Sequence, residues 1–274
     1  MRTLVHLSDL HFGRVDEALL APLRECVTSI APDLLVVSGD LTQRARPEQF
    51  AQARRFLDSL PQPRLVVPGN HDVPLHNVFR RFVNPLKDYR RYITDDLEPF
   101  FADDEIAVAG VNTARSLTFK DGRINAEQVA LLHERFNALD EHVTRIVVTH
   151  HPFHLPEGKG DDDLVRRASM AMKAFAGCGT DLLLSGHMHA THAGSTASRY
   201  ALDGYAALTI HAGTATSTRG RGEVNSFNAI QVERDEVRLE GYGWRPEAGV
   251  FALLTRATFA REQQGWREVE HTDA

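Results

Sequence analysis

Five times along this chain a short run of Val, Leu and Ile stops at a cluster of His, Asp or Asn. Leu4–Leu7 runs into Ser8-Asp9-Leu10-His11, and Leu34–Val37 into Ser38-Gly39-Asp40. Leu65–Val67 runs into Pro68-Gly69-Asn70-His71-Asp72, Ile146–Val148 into Thr149-His150-His151-Pro152, and Leu182–Leu184 into Ser185-Gly186-His187-Met188-His189. A sixth run, Ile106–Val111, leads into Asn112, Thr113 and Arg115. Each is short and rich in Val, Leu or Ile, as a buried strand is, and ends in polar or Gly residues.

The segments between these runs have helical periodicity. Leu20, Leu23, Val27 and Ile30 recur at three-and-four spacing, as do Phe50, Ala53, Leu57 and Leu60 behind Pro47, a residue favoured in a first helical turn. Val129, Leu132, Phe136 and Leu139 form a third stripe, with Asn125 and Gln128 placed for a capping box. Leu164, Ala168, Met172 and Phe175 form a fourth. Alternation of this kind predicts an α/β fold. Phe227–Val232 and Val237–Tyr242 predict an antiparallel hairpin around Glu233–Glu236, so the sheets are expected to be mixed. Pro74–Asp104 is an insertion with its own stripe, Phe79, Phe82, Leu86 and Tyr89, interrupted at Pro85.

In α/β sheets the ligand crevice lies beyond the carboxyl ends of the strands, where these polar clusters sit. Imidazole and carboxylate together suit Zn, Mn, Fe or Ni rather than Ca or Mg alone. Asp9-x-His11 and His187-x-His189 would each place two side chains on one side of an extended segment. With Asp40, Asn70 and His150 they make about seven ligands, too many for one ion. A carboxylate shared by two ions ~3.5–4 Å apart resolves the count, and Asp40 is the natural bridge.

Composition closes off other classes. Hydrophobic residues are 42% and charged residues 25%, which is globular usage. Asp and Glu outnumber Lys and Arg by 37 to 31, a net charge of −6, so a nucleic acid polymer is not the expected partner. The 2 cysteines are far apart and make neither a disulfide framework nor a metal knuckle. No apolar run nears the ~20 residues of a membrane span. Met1-Arg2 lacks the pattern of a secretory signal, so a cytoplasmic protein without a membrane partner is expected.

The ordered series Asp9-x-His11, Gly39-Asp40, Gly69-Asn70-His71-Asp72, His150-His151-Pro152 and Gly186-His187-x-His189 resembles the calcineurin-like metallophosphoesterase superfamily. That resemblance implies a single metallophosphoesterase domain over 1–274, built as a four-layer α/β/β/α sandwich of two mixed β-sheets. The insertion at about 74–104 is then a candidate cap. It also implies two divalent or trivalent transition-metal ions (Mn, Fe or Zn). One would take Asp9, His11, Asp40 and His189, and the other Asp40, Asn70, His150 and His187. His71 would be the catalytic histidine beside the phosphate, and Asp72 its orienting partner.

Within the superfamily, Ser8–Gly13, Gly69–Asp72 and His150–Pro152 most resemble bacterial class III cyclic nucleotide phosphodiesterases and their glycerophosphodiesterase relatives. Gly39-Asp40-Leu41-Thr42-Gln43-Arg44 departs from the longer element of the protein phosphatases. The expected substrate is therefore a small phosphodiester, with a 3′,5′-cyclic nucleotide first. A glycerophosphodiester or phosphomonoester is the alternative, ahead of a nuclease or a non-catalytic scaffold, and a homo-oligomer is compatible with the sequence. His151 either contacts substrate or supports a ligand by hydrogen bonding. Asn112 and Arg115 face the same rim, where Arg115 either binds phosphate or forms a salt bridge. The basic run Arg80-Arg81, Lys87, Arg90-Arg91 is either a solvated helix face or part of an anion-attracting cap.

Overall fold

The structure is a computed structural model that describes residues 1–75, 78–116, 121–155, 161–218 and 223–273, with the side chains of 78–80 and 161 outside the description. In chain order the first elements are β1 (Arg2–Leu7), α1 (Leu20–Ile30), β2 (Leu34–Val37), α2 (Pro47–Asp58), β3 (Arg64–Val66), α3 (Val78–Val83) and α4 (Lys87–Tyr92). They are followed by β4 (Phe100–Ala102), β5 (Ile106–Gly110), α5 (Ala126–Asn137), β6 (Thr144–Val148), α6 (Ala168–Gly177) and β7 (Leu182–Ser185). The chain ends with β8 (His192–Ser195), β9 (Leu208–His211), β10 (Ser226–Val232), β11 (Glu236–Arg245), β12 (Val250–Glu262) and β13 (Gly265–Asp273).

Apolar runs without polar alternation need cover on both faces, and the strands obtain it from two packed sheets. One sheet has the order β13-β12-β11-β10-β1-β2-β3 and the other β4-β5-β6-β7-β9-β8. The segment β1-β2-β3 is parallel, whereas β10 to β13 are antiparallel. In the second sheet β5, β6, β7 and β9 are parallel, with β4 and β8 antiparallel at the edges. Leu4, Leu34, Val36 and Leu65 meet Ile106, Ile146, Leu182 and Ile210 between the sheets. The alternate residues Val5, Leu7, Leu35 and Val37 pack outward on Leu23, Val27, Phe50 and Leu57 of α1 and α2. On the far side Ala107, Val147 and Leu183 pack on Leu132 and Phe136 of α5 and Met172 and Phe175 of α6. This is the expected four-layer sandwich, and each buried Leu or Val contributes about 1.5–3 kcal/mol.

The helix signals act as read from the sequence. Pro47 opens α2. Asn125 accepts from Gln128 N at 2.8 Å, while Gln128 Oε1 accepts from Asn125 N at 3.1 Å, closing the capping box of α5. The insertion differs from its stripe. Leu86 and Tyr89 are buried in the outer core, but Phe82 is 54% exposed. Its break falls between α3 and α4, around Pro85. Arg81 is 2% exposed, and its guanidinium donates to Ser116 O (2.6 Å) and Pro74 O (3.0 Å). Arg81 is thus a strap between the insertion and the loop after β5, not a solvated cation. Arg90 and Arg91 are exposed, and the side chain of Arg80 lies outside the described residues. Among the described residues no helix is long and apolar enough to cross a membrane.

Candidate metal centre

The carboxyl ends of β1 and β2 in one sheet and of β6 and β7 in the other converge on one point. Two glycines permit the approach. A Cβ on Gly69 would lie 2.1 Å from Asp40 Oδ1, and one on Gly186 would lie 1.8 Å from Ser8 Oγ. The loops are not extended. Asp9, His11, Asp40, His187 and His189 all have left-handed backbones, with φ of 55°, 52°, 53°, 69° and 58°. They are five of the eight such non-glycine residues described, so the strain concentrates at this site. The sequence expectation of extended Asp-x-His and His-x-His segments is corrected here. A left-handed turn at both ends of each triplet turns two short side chains inward.

Asp9, His11 and His189 form one group. His11 Nε2 is 3.4 Å and His189 Nε2 3.6 Å from Asp9 Oδ1. Around His150 lies a second, with Asn70 Oδ1 at 3.0 Å and His187 Nδ1 at 3.3 Å from its Nε2. Asp40 sits between the two. Its Oδ1 is 3.4 Å from His150 Nε2, and its Oδ2 is 3.7 Å from His11 Nε2.

The surrounding contacts fix how these rings point. His150 Nδ1 donates to Ser38 O at 2.8 Å, which turns the lone pair of Nε2 toward the site. His189 Nδ1 is hydrogen-bonded to Thr214 Oγ1, and His187 Nε2 lies 3.8 Å from Asp163 Oδ1. Ser8 Oγ and His187 N both donate to Asp9 Oδ2, at 2.6 and 3.0 Å. That leaves Asp9 Oδ1, buried and without a hydrogen bond among the described residues, facing the histidines. His71 is half-buried at the rim, with its ring edge-on to His11 at 5.0 Å. Its backbone N–H donates to Asp40 Oδ1 (2.8 Å), and its Nδ1 donates to Gln43 O (2.9 Å).

The electrostatics point to a cation. Burial raises the pKa of Asp9 and Asp40, yet His189, His11 and His150 around Asp9, and His150, His71 and His11 around Asp40, hold both well below the carboxylate range. Burial also lowers His150, but Asp40 and Asp9 push it up to about 9. A buried site that charges an imidazole has an excess of negative potential, and a metal ion meets that excess while taking the imidazole lone pairs. The donor set, the orphaned Asp9 oxygen and this potential all fit bound transition metals.

Several expectations about single residues are revised. Asp72 does not orient His71. Its carboxylate accepts from Leu41 N, Thr42 N, Thr42 Oγ1 and Gly69 N at 2.9–3.1 Å, stapling the β2 and β3 loops together. Burial and the charge of Asp40, opposed by these hydrogen bonds, push Asp72 up to about 6. His151 is fully buried, bonded to Thr113 Oγ1 at 2.8 Å and packed against His150 and His187, with which it makes a group that could hold a metal ion, so it does not reach solvent. Asn112 Oδ1 accepts from Ala114 N, forming a local turn. Arg115 donates to Asn112 O, Ala114 O and Gln128 Oε1 (2.6 Å), so its guanidinium ties the rim loop to α5 and is not presented to a phosphate. Gln43, Thr214 and Asp163 were not singled out from the sequence. They act through a carbonyl or across long sequence separations, which no local pattern in the sequence marks.

The family model of the calcineurin-like phosphoesterases matches residues 2–191. A glycerophosphodiester phosphodiesterase of Enterobacter lignolyticus is 27% identical over 69% of this chain and 74% of its own. A probable cyclic nucleotide phosphodiesterase of Synechococcus is 25% identical over 68% of this chain and 73% of its own. The crystal structure of a dimetal phosphatase from Danio rerio superposes with a TM-score of 0.65 at 14% identity, covering 88% of this chain and 96% of that one, a likeness of fold.

Proposed function

The chain belongs to the calcineurin-like phosphoesterase family, and from that membership we propose that it is a dinuclear phosphodiesterase acting on a small phosphodiester. The observation that carries the dinuclear reading is Asp40, whose two oxygens face two different groups of histidines. Asp9, His11 and His189 would hold one ion, and Asn70, His150 and His187 the other, with Asp40 shared. Two bound ions supply Lewis-acid polarisation of a phosphoryl group and lower the pKa of water. The protein's own part is positional. Left-handed loops fix the carboxylates and imidazoles before substrate arrives, and Gln43 O holds His71 by its Nδ1. As an imidazolium, with Nδ1–H held by Gln43 O, His71 would donate from Nε2 to a phosphoryl or leaving-group oxygen.

The two curated relatives both act on phosphodiesters by name, which supports a diester substrate. A 3′,5′-cyclic nucleotide is the first choice and a glycerophosphodiester the second. The test is a hydrolysis panel with Mn²⁺-loaded protein: bis-p-nitrophenyl phosphate, p-nitrophenyl phosphate, 3′,5′-cyclic AMP, glycerophosphocholine and single-stranded DNA. Diester kcat/KM is expected to exceed monoester kcat/KM. A strong preference for p-nitrophenyl phosphate over the bis ester overturns the diester reading.

A further inference from the structure

On the far side of the His11 loop the chain turns away from the metal centre, and a second cavity opens between α1 and α2. Its volume is about 700 Å³, within the roughly 300–1,000 Å³ of small-molecule sites. The floor is apolar, where Phe12 and Phe56 lie with ring centroids 5.8 Å apart. Around it stand Arg14, Arg24, Arg55 and Gln52. Among the described residues, none of these three guanidinium groups has an ion-pair or hydrogen-bond partner, and Glu17 is the single acid on the wall. The lining therefore carries a net charge of about +2 above an apolar base of two largely buried rings tilted 50° to each other, in a protein whose net charge is −6.

The three guanidinium groups are exposed and crowd like charges around an apolar floor, a repulsion that a multiply charged anion would relieve. They match one chemistry, a dianionic head for the guanidinium forks and an apolar body for the floor of Phe12, Phe56, Val15 and Leu20. We propose that this groove binds a small organic phosphate with an apolar body, at a site separate from the metal centre. None of Asp9, His11, Asp40, Asn70, His71, His150, His187 or His189 lines it. Yet the two sites share a wall. Phe12 N donates to Leu41 O and Phe12 O accepts from Gln43 N, so the floor of the groove is bonded to the loop whose Gln43 O holds His71.

Calorimetric titration of the Mn²⁺-loaded protein with 1-naphthylphosphonate tests this, because the C–P bond withstands a phosphoesterase. The wild type should bind two molecules per chain. The double variant Arg24→Glu/Arg55→Glu should lose one of them, with affinity there falling roughly tenfold or more. Its metal content and its turnover of bis-p-nitrophenyl phosphate should stay at wild-type values, since neither arginine touches the centre. Methylphosphonate, which has the charge without the ring, should bind only once. A single naphthylphosphonate site in the wild type, or a second site unchanged in the double variant, overturns the proposal. Two methylphosphonate sites overturn the apolar part of it.

Discussion

Asp40 presents one oxygen to His150 and the other to His11, so removing it should act on both halves of the site at once. Asp40→Ala is expected to lose both bound metal and activity, read by elemental analysis and bis-p-nitrophenyl phosphate turnover. A variant that keeps both ions would break the bridging assignment. His71→Ala should behave differently. Its ring is held by Gln43 O, and its bond to Asp40 runs through a backbone N–H that alanine keeps, so metal content should stay while kcat falls by ~10²–10⁴. Unchanged turnover would remove His71 from catalysis. Glu98 offers a test away from the centre. Burial, outweighing the bond from Gln128 and the charges of Arg115 and Arg135, pushes it up to about 7. The folded chain then holds this proton more tightly than the unfolded one, whose carboxyl titrates near ~4.3. Its contribution to stability is full below that value and is lost as pH rises through 7. Glu98→Gln should therefore raise Tm at pH 8.5 and leave it unchanged at about pH 4, below the unfolded value, and equal shifts at both pH values would refute the sign. At this scale the ligand types and their order were legible, because each stands next to its strand. The role of Asp72 was not, since its four donors come from residues 41, 42 and 69, which only the fold brings together.

At the scale of elements, legibility followed periodicity. The strands β1, β2, β3, β5, β6 and β7 lie buried on both faces and read as unbroken apolar runs. The pair β12 and β13 gave no such signal, and the cause lies in β12. Opposite Gly241 and Tyr242 the register shifts, so Leu254 is an extra residue on β12. Phe251 packs in the outer core, whereas Ala257 and Phe259 pack between the sheets. The bulge moves the buried face to the other side halfway along, and no single alternation survives in the sequence. Arg81 shows an element-scale role for the insertion. It bonds the α3 segment to Ser116, at the end of the rim loop that begins at Asn112. If the insertion caps the crevice, Arg81→Met should raise KM for a small diester while leaving metal content unchanged. The variant will also lower Tm, because the strap is buried, so the split between KM and kcat is the decisive reading. A fall in kcat alone, with KM constant, would exclude the cap.

Across the whole molecule the site joins two sheets that share no strand. Asp9, Asp40 and Asn70 belong to the loops of β1, β2 and β3, and His150, His187 and His189 to those of β6 and β7. Elsewhere the sheets are held by the apolar layer between them, led by Leu4, Val36, Ile146 and Leu184. At the metal end that layer gives way to buried carboxylates and imidazoles, which favour contact only when a cation neutralises them. Bound metal should thus act as a rivet at one end of the sandwich. At free metal about 100 times its Kd, each ion specific to the native state adds about 2.7 kcal/mol, so two add about 5 kcal/mol. For a chain of this size that corresponds to a Tm shift of about 10 °C or somewhat more. Scanning calorimetry of the Mn²⁺-loaded and chelator-treated protein should show a shift of that order, in a single transition, because both sheets contribute ligands. Asp40→Ala should melt where the chelated wild type melts or above it, since it lacks one of the two like charges, and metal should not move it. Equal Tm values for loaded and chelated wild type would mean that the sandwich closes without the ions, and that left-handed strain and histidine charge are balanced by the protein alone.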